Sequence, residues 1–226
     1  MSFANSTSPL KFAILISGRG SNMQAIVQQC QQNPQLQATV VIANKHDASG
    51  LHWAQGQGLE TAVLSHKDYA TRQAYDVALM QLIDKYEVDY VLLAGFMRIL
   101  SAAFVAHYAG KLINIHPSIL PAFTGLNTHE RAIQSAVKVH GATIHYVTAE
   151  LDAGPIICQS VVPVKTDDTV STLAQRVLAT EHTMYAAVVN YLAKGSCSLI
   201  EGRTHWHRAE QTLFMHPDLC KATPAR

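Results

Sequence analysis

Continuous apolar runs alternate with stretches whose apolar residues recur every three or four positions, and this alternation organises most of the chain. Lys11-Phe12-Ala13-Ile14-Leu15-Ile16 is apolar after its first residue, the pattern of a strand covered on both faces in a parallel sheet. Ser17 to Asn22 interrupts it with two glycines, and Met23, Ile26, Val27 and Cys30 then recur at helical spacing until Asn33-Pro34. Thr39 to Ala43 predicts a second strand, His52 to Gln57 a short helix stopped by Gly58, and Thr61 to Leu64 a third strand. Ala74 to Tyr86 predicts an amphipathic helix through Val77, Leu79, Met80, Leu82 and Ile83, leading into a buried strand, Tyr90 to Ala94. A helix near Ser101 to Tyr108 precedes the strand that holds Asn114. Strand and helix alternating in this way predict an open α/β sheet, parallel, with right-handed crossovers and helices on both faces.

Beyond residue 125 the pattern changes. A helix from Thr128 to Val137 is followed by two segments rich in β-branched residues, Ala142 to Val147 and Ile156 to Val164. Only the turn at Asp152 to Pro155 separates these two, which predicts an antiparallel hairpin added to the sheet. Asp168 or Thr169 is placed to cap a last helix, whose inward stripe is Val170, Leu173, Val177, Met184, Val188 and Leu192, and Gly195 stops it. The expected organisation is a lead-in over residues 1–9, one domain over 10–195 and a C-terminal extension over 196–226.

Composition narrows the field. The 226 residues are 48% hydrophobic and 15% charged, with a formal net charge of +1. That is globular, and it offers no general attraction to nucleic acid or to an anionic membrane, so an anionic substrate needs a local site. The four cysteines, Cys30, Cys158, Cys197 and Cys220, are scattered without a C-x-x-C pair, which predicts reduced thiols in a cytoplasmic protein without a metal cluster. His205-x-His207 reads as part of an exposed polar tail ahead of a metal pair. The N-terminus lacks a basic region followed by an apolar one, and no apolar run reaches the length of a membrane span.

Four constellations carry chemistry. Asn114-Ile115-His116-Pro117-Ser118 closes a strand with an amide donor and an imidazole on one face, a pair able to stabilise negative charge on a carbonyl oxygen under attack. Asp152, in Glu150-Leu151-Asp152-Ala153-Gly154-Pro155, either partners the imidazole or only shapes its turn. Ser17-Gly18-Arg19-Gly20-Ser21-Asn22 joins a buried strand to a helix, as a phosphate cradle or as a plain tight turn. Met23 stands where the full G-x-G-x-x-G needs its third glycine, and Asn44 and Lys45 follow the second strand where a dinucleotide site needs an acid, so a nicotinamide-dependent oxidoreductase is disfavoured. Gly95-Phe96-Met97-Arg98-Ile99-Leu100 sets an apolar, sulfur-bearing surface beside one cation, suited to a flat heteroaromatic ligand or to the core. Glu181 falls toward the packed side of the last helix, to bind a polar ligand or to pair with Arg176.

Taken in order, Ile-Ser-Gly-Arg-Gly-Ser-Asn (16–22), Leu-Ala-Gly-Phe-Met-Arg-Ile-Leu (93–100), Ile-Asn-Ile-His-Pro-Ser-Ile-Leu-Pro (113–121) and Leu-Asp-Ala-Gly-Pro (151–155) resemble the phosphoribosylglycinamide formyltransferases. The resemblance runs from about Lys11 to about Ala193. It implies the formyltransferase fold, an open, mostly parallel Rossmann-like sheet with an antiparallel C-terminal addition. It also implies transfer of the formyl group of 10-formyltetrahydrofolate, as co-substrate, to the amino group of glycinamide ribonucleotide in purine synthesis, without a metal. Residue by residue, it assigns Gly20, Ser21 and Asn22 to the nucleotide phosphate and Glu181 to the ribose. Arg72, Met97, Arg98, Ile99, Leu100, Asn114, Ala149, Glu150 and Asp152 fall to the folate, and Asn114, His116 and Asp152 to catalysis. The implied partners are these small molecules, with no nucleic acid and no membrane, in a monomer or homodimer. In the loop Ala122 to His129, Asn127 departs from the commonest family pattern, as does Ala149 further on; both departures bear on individual loop contacts. The tRNA-formylating relatives need a basic face and a further C-terminal domain, and the formyltetrahydrofolate hydrolases an N-terminal regulatory domain, so transfer to the small nucleotide is the expectation.

Overall fold

The computed structural model describes residues 8–220, so the expected lead-in falls outside the described residues except for Ser8 and Pro9. The strands are β1 (Leu10–Ile16), β2 (Leu36–Ala43), β3 (Glu60–Val63), β4 (Tyr90–Leu93), β5 (Leu112–His116), β6 (Val139–Tyr146), β7 (Ile156–Pro163), β8 (Cys197–Ile200), β9 (Arg203–Trp206) and β10 (Leu213–Met215). The helices are α1 (Ser21–Gln32), α2 (Ser49–Gly56), α3 (Arg72–Asp84), α4 (Ala102–His107), α5 (Thr128–Gln134), α6 (Val170–Ala193) and α7 (Pro217–Cys220).

Eight strands form one sheet in the order β10-β7-β6-β5-β4-β1-β2-β3, and β8 and β9 form a separate hairpin. Every neighbouring pair in the large sheet is parallel except β5–β6 and β6–β7. In that sheet, therefore, β6 alone runs against the other strands. The expected hairpin of β6 and β7 is present.

Successive residues of β1 enter opposite cores, as a strand covered on both faces requires. Phe12, Ile14 and Ile16 pack with Met23 and Ile26 of α1 and with Val177, Met184 and Val188 of α6. Ala13 and Leu15 pack on the other face with Leu79 and Ile83 of α3 and Phe104 of α4. Two residues of the expected apolar stripes face solvent instead, Val77 at 48% and Val170 at 48% exposure. Val170 opens the first turn of α6, ahead of the part that the sheet covers, and it borders a cleft. Thr169 caps α6 by accepting the Thr172 amide, whereas Asp168 takes a two-pronged hydrogen bond from Arg176, both N–O distances 2.7 Å. The expected alternative of an Arg176–Glu181 pair is thereby corrected, because the guanidinium is committed to Asp168.

The strand order reverses between β1 and β4, and at such a point the connections on either side leave a crevice at the carboxyl edge. Here that crevice lies between the loop after Ile16 and the loop after Leu93. Past α6, residues 197–220 are structured: β10 adds to β7 and buries Phe214, while His205 and His207 are exposed.

Candidate active site

The loop after β1 is fixed from both sides. Ser17 donates its amide to the Gly95 carbonyl at 3.2 Å, and its Oγ accepts the Met97 amide at 2.8 Å. Gly18 accepts the Gly50 amide at 3.0 Å. Gly20 then turns the chain into α1 with φ 67°, a left-handed conformation that suits glycine. No side chain caps α1, and its first internal bond runs from the Gln24 amide to the Gly20 carbonyl. The amides of Ser21, Asn22 and Met23 are left without intrahelical acceptors at the positive end of a helix, a setting that favours an anion.

Glu181 approaches this loop from α6. It is 6% exposed, and its Oε2 accepts the Asn22 side-chain amide at 2.7 Å. Burial pushes the Glu181 carboxyl above the usual range, and the Asn22 hydrogen bond opposes that shift. The Asn22 Oδ1 is also buried and lacks a protein partner. Two polar side chains from distant segments thus meet beside open backbone amides.

Next to this lies a cleft of about 740 Å³ bordered by the loop after β4, the end of β5 and the segment after β6. Met97, Ile99, Leu126 and Leu151 line it and are exposed, Met97 by 72% and Leu126 by 76%. Contiguous exposed apolar side chains of this kind mark a binding surface. Arg98 lines the same wall, with its guanidinium 5.1 Å from the centroid of the Tyr75 ring.

Asn114, His116 and Asp152 all reach the cleft. His116 Nδ1 lies 3.5 Å from Asp152 Oδ2, with the two side chains 8% and 7% exposed. The other ring nitrogen, Nε2, is 3.0 Å from the Phe123 carbonyl oxygen. Both nitrogens therefore face acceptors. Asp152 Oδ2 also accepts the Gly125 amide at 2.8 Å, which ties the turn after β6 to the loop after β5. Asp152 has φ 52°, a left-handed conformation that Asp adopts more readily than most residues. Two residues on, a Cβ at Gly154 would overlap the Tyr146 carbonyl oxygen, so the turn closes tightly onto β6.

Of the residues expected at the site, Met97, Arg98, Ile99, Leu100, Asn114, His116, Ala149, Glu150 and Asp152 line this cleft. Gly20, Ser21, Asn22 and Glu181 form the adjoining group. Arg72 does neither. It is exposed in the first turn of α3 and is not among the residues lining the cleft.

Several contributors were not singled out from the sequence. His145 stands opposite Asn114 across β5–β6, with its Nε2 3.3 Å from the Asn114 Nδ2. A lone imidazole in the apolar run 142–147 was the available signal. His129 and His140 lie close behind His116, with ring centroids 5.2 Å apart. Burial pushes His140 down to about 4, helped by His129 and His116 and opposed by the Pro117 carbonyl. The Phe123 carbonyl and Gly125 amide belong to backbone, and residue identities carry no trace of them.

An amide and an imidazole–carboxylate pair thus border one cleft, near a helix start whose amides are open to an acceptor, a set of groups chemically able to stabilise charge on a carbonyl oxygen. Residues 10–189 match the formyl transferase family, and the chain belongs to that family. It is 46% identical over 194 residues to phosphoribosylglycinamide formyltransferase of Escherichia coli strain K12, covering 85% of this chain and 91% of that protein. It is 44% identical over 202 residues to the human trifunctional purine biosynthetic protein adenosine-3, covering 88% of this chain and 20% of that larger protein. The structure of phosphoribosylglycinamide formyltransferase from Coxiella burnetii superposes with a TM-score of 0.86 at 41% identity, covering 91% and 99% of the two chains.

Proposed function

We propose that this chain transfers the formyl group of 10-formyltetrahydrofolate to the amino group of 5-phosphoribosylglycinamide, by direct attack. The products are the formylated nucleotide and tetrahydrofolate. The observation that carries this reading is the meeting of Asn114, His116 and Asp152 in one cleft, whose Gly95–Met97 wall is hydrogen-bonded to Ser17 of the loop that leads into α1.

In this reading the nucleotide phosphate accepts the amides at the start of α1, and Glu181, held by Asn22, takes a ribose hydroxyl. The folate lies along Met97 to Leu100 with its polar edge against Ala149, Glu150 and Asp152. Arg72, exposed in the first turn of α3 and outside the residues that line the cleft, would meet the folate only at its solvent end.

The amine nitrogen attacks the formyl carbon, and the bond from that carbon to the folate nitrogen breaks. Asn114 and His116 donate to the oxygen as it gains charge. For this, His116 Nε2–H leaves the Phe123 carbonyl and turns to the substrate, while Asp152 keeps hold of Nδ1. The amine proton passes by way of Asp152 to the departing nitrogen. A neutral amine is already a nucleophile, so positioning and charge stabilisation supply most of the rate, and no formylated enzyme forms.

Residues 10–195 form the catalytic domain in this reading, with 196–226 as an extension, and the enzyme works in the cytoplasm. The scattered spacing of the four cysteines, without a C-x-x-C pair, is what supports that location. An absorbance assay for the released folate, omitting each substrate in turn, tests the reading. Release that requires the nucleotide supports transfer. Equal release without it would mean hydrolysis.

A further inference from the structure

Asn114 and His145 are cross-strand partners in the β5–β6 register, and both line the cleft. His145 is 2% exposed. The β6–β7 ladder shifts register between Ile144 and His145, an irregularity of the sort that re-aims side chains beside active sites. On its far side the ring is backed by Gly154, where an added Cβ would come within 3.3 Å of Nδ1.

The contacts fix the tautomer. His145 Nδ1 lies 2.9 Å from the Tyr146 carbonyl oxygen, which can only accept, so Nδ1 bears a proton. Burial holds the imidazole below its ordinary value, aided by His116 and opposed by the Tyr146 carbonyl and Asp152. The ring is therefore neutral, and Nε2 presents a lone pair. An amide oxygen turned toward that lone pair would set two acceptors against each other, so Asn114 presents Nδ2, at 3.3 Å. One amide proton is used on His145, and the second is left for the cleft.

We infer that His145 is a positioning residue, which selects the amide orientation in which Asn114 offers an N–H to the substrate oxygen. The inference rests on the proposed role of Asn114 as a donor to that oxygen. A histidine that merely filled space in β6 would leave the amide free to present either its oxygen or its nitrogen.

Formyl-transfer kinetics of the full chain test it with Asn114→Ala, His145→Phe and the double variant. His145→Phe keeps an aromatic ring but has no acceptor. It is expected to lower kcat about tenfold or more while both KM values stay within about twofold, the pattern for misplacing a group used in the transition state. The double variant is expected to be no slower than Asn114→Ala alone, because the two changes disable one unit. His145→Gln, whose Oε1 can accept from the same amide, is expected to recover part of the loss. Losses that multiply, a KM effect with kcat intact, or full kcat in His145→Phe would overturn the inference while leaving the function reading in place. Full kcat in Asn114→Ala would overturn both. If His145→Phe does not fold, nitrogen NMR of histidine-labelled parent enzyme at neutral pH decides. A neutral ring protonated at Nδ1 supports the inference, and a proton on Nε2 contradicts it.

Discussion

A carboxylate closed off from water and given one amide donor opposes folding, because burial costs a charged group far more than a single hydrogen bond returns. Glu181 is in that position, with Asn22 as its donor. Its carboxyl is raised above the unfolded value, so the ionised form weakens the folded state at neutral pH, and the penalty fades as pH falls through the raised folded value and is gone once the ordinary glutamate range is passed. Glu181→Gln is expected to stabilise the protein at pH 7 by about 1 kcal/mol in denaturant melts. It is also expected to raise the nucleotide KM about tenfold, the cost of weakening one charged hydrogen bond to a ribose. A variant both less stable and unchanged in KM would contradict this role. At this scale the sequence was partly legible. The helical period placed Glu181 on the inner side of α6, and the strand period placed Asn114 and His116 on one face. Asn22 as the partner of Glu181, and His145 as the partner of Asn114, depend on which segments become neighbours, and no local pattern encodes that.

Among the elements, α6 has the most exacting start. Thr169 and Thr172 form a reciprocal cap, and Asp168 accepts from Arg176, from the Lys165 amide and from the Thr172 hydroxyl. The Arg176 hydrogen bonds hold the Asp168 carboxyl well below the usual carboxylate range, against the effect of burial. Asp168→Asn is expected to lower unfolding free energy at pH 7 by about 3 kcal/mol, the scale for stranding one member of a buried pair. A depressed carboxyl contributes stability that is present above its unfolded value and is lost as pH falls through the folded one. The gap between parent and variant should therefore narrow from about pH 4 downward. Unfolding titrations across that range check it, and a gap that stays constant into strong acid would contradict the account. Strands and helices of the first half were readable because buried runs and amphipathic stripes alternate cleanly. The β6–β7 hairpin was readable from its β-branched content. The exposed start of α6 was not, since Val170 matches the buried period but precedes the part that the sheet covers.

Over the whole molecule, the reversal of strand order between β1 and β4 gathers segments that are far apart in sequence. The Ser17–Asn22 loop, the Gly95–Leu100 loop, the end of β5, the turn at Asp152 and Glu181 of α6 all come to one region. The return of β10 to pair with β7 was not legible, because Leu213-Phe214-Met215 is too short to show a period. What the global arrangement adds is the pairing of His116 with Asp152, made when β6 runs back along β5 and its turn folds over the strand end. The account stands on that convergence, and single-turnover formyl transfer by His116→Ala measures it most directly. The expected result is a fall of about a hundredfold in the transfer rate constant, the scale for a lost oxyanion donor, with nucleotide affinity unchanged. A rate constant within about threefold of the parent would contradict the account, because the imidazole would then have no part in the charge that the reaction develops.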